Sequence, residues 1–307
     1  MSVETKIWMR HASSGHEDIL SKRWVGDEKL AIVQISHGMS EHVERYNDFA
    51  EYLANHGFVV YMNEHAGHGE HADTLGFFAD ENGKEHVVTD MKTLHDEAVE
   101  DFPDLPVFLL GHSMGSFLAR KYITHYGNEL AGCILSGTSG SNPALGVGQL
   151  IANLQKKIKG PKSRGKFLTF MAFGSYLKRI KHPINANAWI SRDDEVCKVY
   201  KNDKYCGFNF TAGGFSDLFS LLKEINQKDW AEKVPAQLPI YLFSGTEDPV
   251  GLYGKGVEEI FEKLRNSNHK DLTMKLYKGG RHEMLNELNK EEVYEDTLKW
   301  LQKHCQK

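Results

Sequence analysis

The chain alternates between short apolar runs and amphipathic stretches over most of its length. Six apolar runs predict buried strands: 30–36, 58–63, 105–111, 130–137, 238–243 and 271–277. Four stretches with apolar side chains at helical spacing predict helices: 45–58, 86–102, 255–266 and 291–304. Strands that alternate with helices indicate an α/β fold with a mostly parallel sheet flanked by helices.

Two parts of the chain depart from this alternation of strands and helices. Residues 5–12 and 18–26 predict an antiparallel hairpin at one edge of the sheet. Between 138 and 235 the rhythm stops, and the helical pieces there are both apolar and basic. We interpret 1–137 and 236–307 as the core and 138–235 as an inserted helical cap. An insertion after a parallel strand lies above the carboxyl edge of the sheet, where ligands bind in such folds.

Composition narrows the class of protein. The 307 residues are 40% hydrophobic and carry a net charge of −5, which indicates a globular protein without an overall nucleic-acid signature. Residues 1–10 hold no apolar run that could serve as a signal peptide, and no segment reaches the roughly 18 apolar residues of a membrane span, so we expect neither. The four cysteines are scattered without a CxxC pair, which favours free thiols. We therefore expect a cytoplasmic protein.

A serine between two glycines is the first residue for which the sequence indicates a chemical role. Gly111-His112-Ser113-Met114-Gly115 fits G-x-S-x-G and lies between an apolar run and an amphipathic helix. In a strand–turn–helix of this kind the serine adopts a strained conformation that exposes its hydroxyl at a helix N-terminus. Glycines are needed on both sides because a Cβ there would clash with the neighbouring strand or helix. The alternative is a serine N-cap with two packing glycines.

A serine nucleophile needs a base and an acid, which follow it in the chain order Ser, acid, His. Asp248 lies directly after the run 238–243, and His282 lies directly after 271–277. Asp248 is the better acid because an Asp-Pro turn points it back towards the histidine. Glu247 is the alternative acid.

The oxyanion needs two N–H donors. One is expected from the residue after the nucleophile, Met114. The other is expected from the loop after 30–36, where His37-Gly38 lets the backbone turn close to the serine and leaves Met39 as the next donor. The alternative for His37-Gly38 is a plain turn.

These stretches together resemble the monoglyceride lipase and lysophospholipase branch of the α/β-hydrolases. The resemblance rests on five matched stretches: "HGMSEHVERY" (37–46), "NEHAGHGEH" (63–71), "LLGHSMGS" (109–116), "SGTEDPV" (244–250) and "GGRHE" (279–283). It covers about two-thirds of the chain and implies an α/β-hydrolase fold with a Ser113, Asp248 and His282 triad. It also suggests that Glu41 pairs with Arg45 to brace the oxyanion loop. No motif in 138–235 matches the family's cap.

Other interpretations of the same residues are weaker. A metal site at His65, His68 and His71 is disfavoured because the intervening glycines prevent a rigid ligand array. His37, His42 and His112 are expected to pack in loops. We expect no cofactor, because side chains and backbone fill every role, and no nucleic-acid partner.

The expected substrate is a lipid ester with a single acyl chain. The apolar residues of 144–181 would bind the acyl chain, and the lysines among them would attract the cap to membranes or micelles. The alternative for these lysines is a solvated helix face. Monoacylglycerol is the first choice and lysophospholipid the second, with a general carboxylesterase as the broader alternative. A peptidase of similar fold and a catalytically inactive binding module are less favoured. An inactive binding module would lack a member of the triad, and this sequence has all three.

Overall fold

The computed structural model describes residues 3–305 and contains one eight-stranded sheet with strand order β1-β2-β4-β3-β5-β6-β7-β8. The strands are β1 (Glu4–His11), β2 (Asp18–Val25), β3 (Ala31–Ser36), β4 (Phe58–Asn63), β5 (Val107–His112), β6 (Gly132–Ser136), β7 (Ile240–Gly245) and β8 (Leu272–Tyr277). The strands β3 to β8 pair in parallel. The pairs β1–β2 and β2–β4 are antiparallel, which confirms the predicted edge hairpin.

Helices cover both faces of the sheet. They are α1 (Asn47–Ala54), α2 (Gly83–Asp101), α3 (Met114–Tyr126), α4 (Leu145–Lys159), α5 (Lys166–Phe173), α6 (Asp194–Asn202), α7 (Ala212–Ile225), α8 (Lys255–Asn266) and α9 (Lys290–Cys305). One apolar core lies between the sheet and α2, α3 and α8, and the other lies between the sheet and α1 and α9. The predicted mostly parallel sheet with flanking helices is confirmed.

The central strands are buried along their whole length, as expected for parallel strands that helices cover on both faces. The last strand, β8, is only partly buried because it forms the far edge of the sheet. Four loops leave the carboxyl ends of β3, β5, β7 and β8, and they carry the residues at which the sequence predicts chemistry.

The segment between β6 and β7 contains the four helices α4 to α7. Its two ends are tied to the core by one buried side chain, Arg120 of α3. The guanidinium of Arg120 donates to the carbonyl of Ser139, at 2.8 Å, and to the carbonyl of Ile225 at the end of α7. It also lies 4.4 Å from the ring of Trp230. Among residues 3–305, no helix is long and apolar enough to cross a membrane.

Candidate active site

The turn between β5 and α3 holds Ser113 in a conformation that few residues adopt. Its φ is 53° and its ψ is −120°, outside the regions favoured by L-residues. A Cβ on Gly115 would lie 2.0 Å from the Ser36 carbonyl oxygen of β3, and one on Gly111 would lie 2.3 Å from the Gly115 carbonyl oxygen. The predicted need for both glycines is therefore confirmed, and Ser113 is left partly exposed to a cavity.

The loops after β7 and β8 bring Asp248 and His282 into direct contact. The Nδ1–H of His282 donates to Asp248 Oδ1 at 3.0 Å. The same carboxylate accepts the Ser244 hydroxyl at 2.7 Å and the Val250 N–H at 2.8 Å, and it is fully buried. Glu247, the alternative acid, is exposed. The geometry therefore favours Asp248 as the partner of the histidine.

The contact between Asp248 and His282 shifts the pKa values of both side chains. Burial opposes the charge of Asp248, but His282 and the hydrogen bonds outweigh it and lower the pKa of Asp248. Burial likewise opposes the charge of His282, but the Asp248 carboxylate raises the pKa of the imidazole above its ordinary 6.5. Asp248 thus stabilises the imidazolium that forms when His282 takes a proton.

Ser113 and His282 line the same cavity. The Nε2 atom of His282 is buried and has no hydrogen-bond partner within residues 3–305, so no bond to Ser113 Oγ is formed. With Nδ1 protonated and bound to Asp248, Nε2 is the atom that can accept a proton. Catalytic hydrogen bonds are often long or poorly aligned in ligand-free proteins, so the absence of this bond is compatible with a serine–histidine pair.

The loop after β3 carries Met39, whose N–H the sequence predicts as an oxyanion donor, and both Met39 and Met114 line the cavity. Within the described residues, neither the Met39 N–H nor the Met114 N–H donates to a protein acceptor. The Nδ1–H of His37 donates to the Gly38 carbonyl oxygen at 2.8 Å. Since the C=O and N–H of a trans peptide point in opposite directions, this bond also restricts the direction of the Met39 N–H. His37 thus has a role beyond loop packing, which the sequence does not reveal.

A buried ion-pair network braces the same loop. Arg45 Nη1 donates to Glu41 Oε2 at 2.6 Å, which confirms the predicted pair. The second oxygen of Glu41 accepts the Gly38 N–H at 2.6 Å. Arg45 also binds both oxygens of Glu283, at 2.7 and 2.5 Å. Glu283 directly follows His282, so one guanidinium joins the oxyanion loop to the loop that carries the histidine.

Three histidines, His37, His65 and His68, form a buried cluster at this loop. The rings of His37 and His65 lie 4.1 Å apart, and those of His37 and His68 lie 5.0 Å apart. Burial lowers the pKa of His37 to about 3 and lowers the pKa values of His65 and His68 well below their ordinary value. His68 Nε2 accepts the Ser40 N–H at 3.2 Å, so this nitrogen already has a partner.

A different trio brings three metal-binding atom types within 4.8 Å of one another: His42, Asp203 and Cys206. His42 Nε2–H donates to Asp203 at 2.7 Å, and the other Asp203 oxygen accepts the Tyr205 N–H at 2.8 Å. Burial raises the pKa of the Cys206 thiol, which disfavours the thiolate that a metal needs. We therefore assign no metal to this trio.

The cavity above the serine has a volume of about 630 Å³. Residues from 138–235 supply much of its apolar lining, including Phe170, Phe173 and Leu218. The Trp189 ring lies 5.1 Å from the His282 ring and packs against Phe173 and Tyr176. The sequence predicts an apolar lining but not Trp189, which lies outside the apolar stretch 144–181.

Known proteins resemble this chain over most of its length. The sequence model of one family, described as serine aminopeptidase, S33, matches residues 27–289. The chain belongs to this family. This S33 family member has the α/β-hydrolase fold, and its relatives place it in the monoacylglycerol lipase branch that the sequence resembles.

Three relatives show how far the similarity of the S33 chain extends. A monoacylglycerol lipase from Mycolicibacterium smegmatis is 28% identical over 309 residues, covering 99% of this chain and all of the relative. The monoglyceride lipase of Rattus norvegicus is 26% identical, covering 84% of this chain and 77% of the relative. A carboxyl esterase from Bacillus coagulans, solved in complex with glycerol, superposes with a TM-score of 0.92 at 31% identity, covering 99% of this chain and 100% of that one.

Proposed function

We propose that the chain is a serine ester hydrolase that cleaves monoacylglycerols by a Ser113–His282–Asp248 acyl-enzyme mechanism. The observation that carries the proposal is that a strained serine and an Asp-bound histidine open into one largely apolar cavity. The similarity to monoacylglycerol lipases supports the substrate class. The carboxyl esterase from Bacillus coagulans was solved with glycerol, the alcohol that this reaction releases.

The mechanism assigns a role to each of these groups. His282 Nε2 takes the proton of Ser113, and the alkoxide attacks the ester carbonyl. The N–H groups of Met39 and Met114 stabilise the negative oxygen of the tetrahedral intermediate. His282 then gives its proton to the leaving alcohol, and the acyl group stays on Ser113. A water that His282 deprotonates attacks the acyl-enzyme, and His282 returns the proton to Ser113 Oγ as the bond to the fatty acid breaks.

The cavity lining supports a single acyl chain and an uncharged alcohol. Its volume of about 630 Å³ falls within the range of about 300–1,000 Å³ usual for small-molecule sites. Each methylene that leaves water gains about 0.8 kcal/mol, which favours a medium or long chain over acetyl. No lysine or arginine occurs among the described residues that line the cavity, so a phosphate group finds no cation there. The absence of a cation from this lining supports monoacylglycerol over lysophospholipid as the substrate.

An aminopeptidase, which the family description names, needs a free carboxylate for the substrate ammonium. The two carboxylates that line the cavity in the described chain are Glu41 and Glu283. Both already pair with Arg45. Neither carboxylate is therefore free to bind a substrate ammonium, which favours ester hydrolysis over release of an N-terminal residue.

The segment 138–235 acts as a cap that brings the site to lipid surfaces. Exposed apolar side chains follow one face of α4, and they are Val147, Leu150, Leu154 and Ile158. Phe167 and Phe170 of α5 are also exposed, and Phe170 lines the cavity as well. Lys156, Lys157 and Lys159 end α4 and add attraction of about 1 kcal/mol each to an anionic surface. The four free cysteines fit a reducing cytoplasm, where the protein would bind membranes only peripherally.

A substrate panel tests the proposed activity. We expect monoacylglycerols to be cleaved faster than lysophosphatidylcholine, triacylglycerol and an aminoacyl anilide. Ser113→Ala should lower kcat by about 10⁴-fold with the fold intact. A preference for the anilide or for acetyl esters would contradict the lipid assignment, and near wild-type activity of Ser113→Ala would remove the mechanism.

A separate assay tests the membrane contact. Leu150→Glu/Ile158→Glu should lose sedimentation with anionic phospholipid vesicles while retaining turnover of a soluble nitrophenyl ester. The matched control is Leu288→Glu, an exposed leucine outside the cap. Equal vesicle binding by all three proteins would exclude this face as the contact.

A further inference from the structure

The residue after the predicted oxyanion donor is held by bonds that come mainly from outside its own loop. Ser40 has a φ of 56°, which is uncommon for a residue with a side chain. Its hydroxyl donates to the Phe208 carbonyl at 2.8 Å, and its carbonyl accepts the Tyr200 hydroxyl and the Gly207 N–H, each at 2.9 Å. Three of these bonds therefore reach the segment 200–208, which includes the end of α6 and leads towards α7.

These bonds complete the fixation of the Met39 peptide. On one side, the Gly38 N–H is bound by Glu41 and the Gly38 carbonyl by His37. On the other side, the carbonyl of Ser40 is bound by the cap segment. A strained backbone conformation persists only when its surroundings hold it, so loss of the cap bonds would let Ser40 relax and turn the Met39 N–H.

We propose that Tyr200 is a positioning residue for the oxyanion site: its hydroxyl, through the carbonyl of Ser40, sets the direction of the Met39 N–H. The inference rests on the proposed ester-hydrolase function. The Tyr200 ring is held in turn by the Arg45 guanidinium, 4.8 Å from its centre, and Arg45 is the residue that joins the two catalytic loops. The cap thereby influences the chemical step as well as substrate entry.

The cap also contacts the loop that carries the base. The Trp189 carbonyl accepts the His282 N–H at 3.4 Å, and the Ile190 carbonyl accepts the Glu283 N–H at 2.7 Å. A movement of the cap would therefore reach both sides of the reacting ester. The Tyr200 contact can be removed by deleting one oxygen atom, because phenylalanine keeps the ring and loses only the hydroxyl.

The test compares Tyr200→Phe with Tyr205→Phe, a tyrosine in the same segment whose ring lies against His42 and Lys204. With a soluble nitrophenyl ester, we expect Tyr200→Phe to lower kcat by about 10- to 100-fold, since small misplacements of catalytic groups cost up to about 100-fold. KM should change less than twofold. A boronic acid, whose tetrahedral adduct places an oxygen in the oxyanion site, should bind more weakly by the same factor. Tyr205→Phe should match the wild type in all three measurements.

Two results would overturn the inference. One is an unchanged kcat, and the other is a rise in KM alone, which would mean that Tyr200 contacts the substrate directly. If Tyr200→Phe does not fold, Tyr200→Met provides the test, because methionine fills part of the ring's volume and has no hydroxyl to donate to the Ser40 carbonyl. It should lower kcat and boronic acid affinity together, and unchanged values would refute the proposal. A wild-type protein that cleaves no ester would instead refute the proposed function.

Discussion

Removing the guanidinium of Arg45 should strongly destabilise the protein. Arg45→Met deletes three charge-assisted hydrogen bonds of 2.5–2.7 Å to Glu41 and Glu283, both of which are almost fully buried. Such bonds contribute about 1.5–3 kcal/mol each, and part of this gain is offset because the guanidinium no longer has to lose its water. Leaving buried carboxylates without their cation costs about 3–5 kcal/mol in comparable cases. We therefore expect a loss of about that size at pH 8.

The loss of unfolding free energy should depend on pH, and the direction follows from the pKa of Glu283 with and without Arg45. In the wild type, burial opposes the charge of Glu283, but Arg45 lowers its pKa below the ordinary 4.5. That contribution to stability is present above pH 4.5 and is lost as the pH falls through the lowered pKa. In Arg45→Met the burial remains and the cation is gone, so the pKa of Glu283 should rise above 4.5. The variant then regains stability by protonation as the pH falls, and the difference between the two proteins should shrink from pH 8 to pH 5.

Urea unfolding at several pH values measures this difference. Lys198→Met is the control, because its partner Glu195 is exposed and such pairs contribute about 0–1 kcal/mol. The double variant Arg45→Met/Glu283→Gln should recover part of the loss, since glutamine removes one uncompensated charge. A loss below about 1 kcal/mol, or one that does not change with pH, would refute the reasoning.

Four shorter predictions concern the site itself. Asp248→Asn should lower kcat about 10⁴-fold while Glu247→Gln changes it little, and the reverse result in the same ester assay would reassign the acid. The kcat/KM profile should fall on the acid side with a midpoint above pH 6.5, because His282 must be neutral and Asp248 raises its pKa; a midpoint below 6 would contradict this. Gly115→Ala should cost about 3 kcal/mol in urea unfolding, because its Cβ would lie 2.0 Å from the Ser36 oxygen, and a neutral effect would show that the turn can shift. Activity should survive EDTA, whereas loss on chelation and recovery with a divalent metal would indicate a metal requirement.

The periodic part of the fold could be predicted from the sequence because it depends on local patterns. The central strands are continuous apolar runs, and G-x-S-x-G marks a turn where a strand meets a helix with a single residue between them. Boundaries were less accurate. The helix predicted at 86–102 begins at Gly83, and the strand predicted at 105–111 begins at Val107, after Pro106.

The sequence could not reveal how the loops support one another. Arg45 and Glu283 are 238 positions apart, and Tyr200 and Ser40 are 160 apart. No periodicity links residues at such separations, because their contact depends on the complete sheet. The sequence held a weak indication for Glu283, since an acidic residue directly after the predicted base can pair with an arginine when it is buried. It held none for Trp189.

The position of Arg120 has a consequence for how this architecture can change over time. The proposed cap leaves the core near Ser139 and returns after Ile225, and one guanidinium binds the carbonyls of both residues. The core therefore meets the insertion as a closed loop with its ends already together, and the entropy of closing such a loop grows only slowly with its length. Segments of different length and sequence can be exchanged between these two points while the sheet and its catalytic loops stay the same. A lineage can thus acquire new substrates by replacing one module.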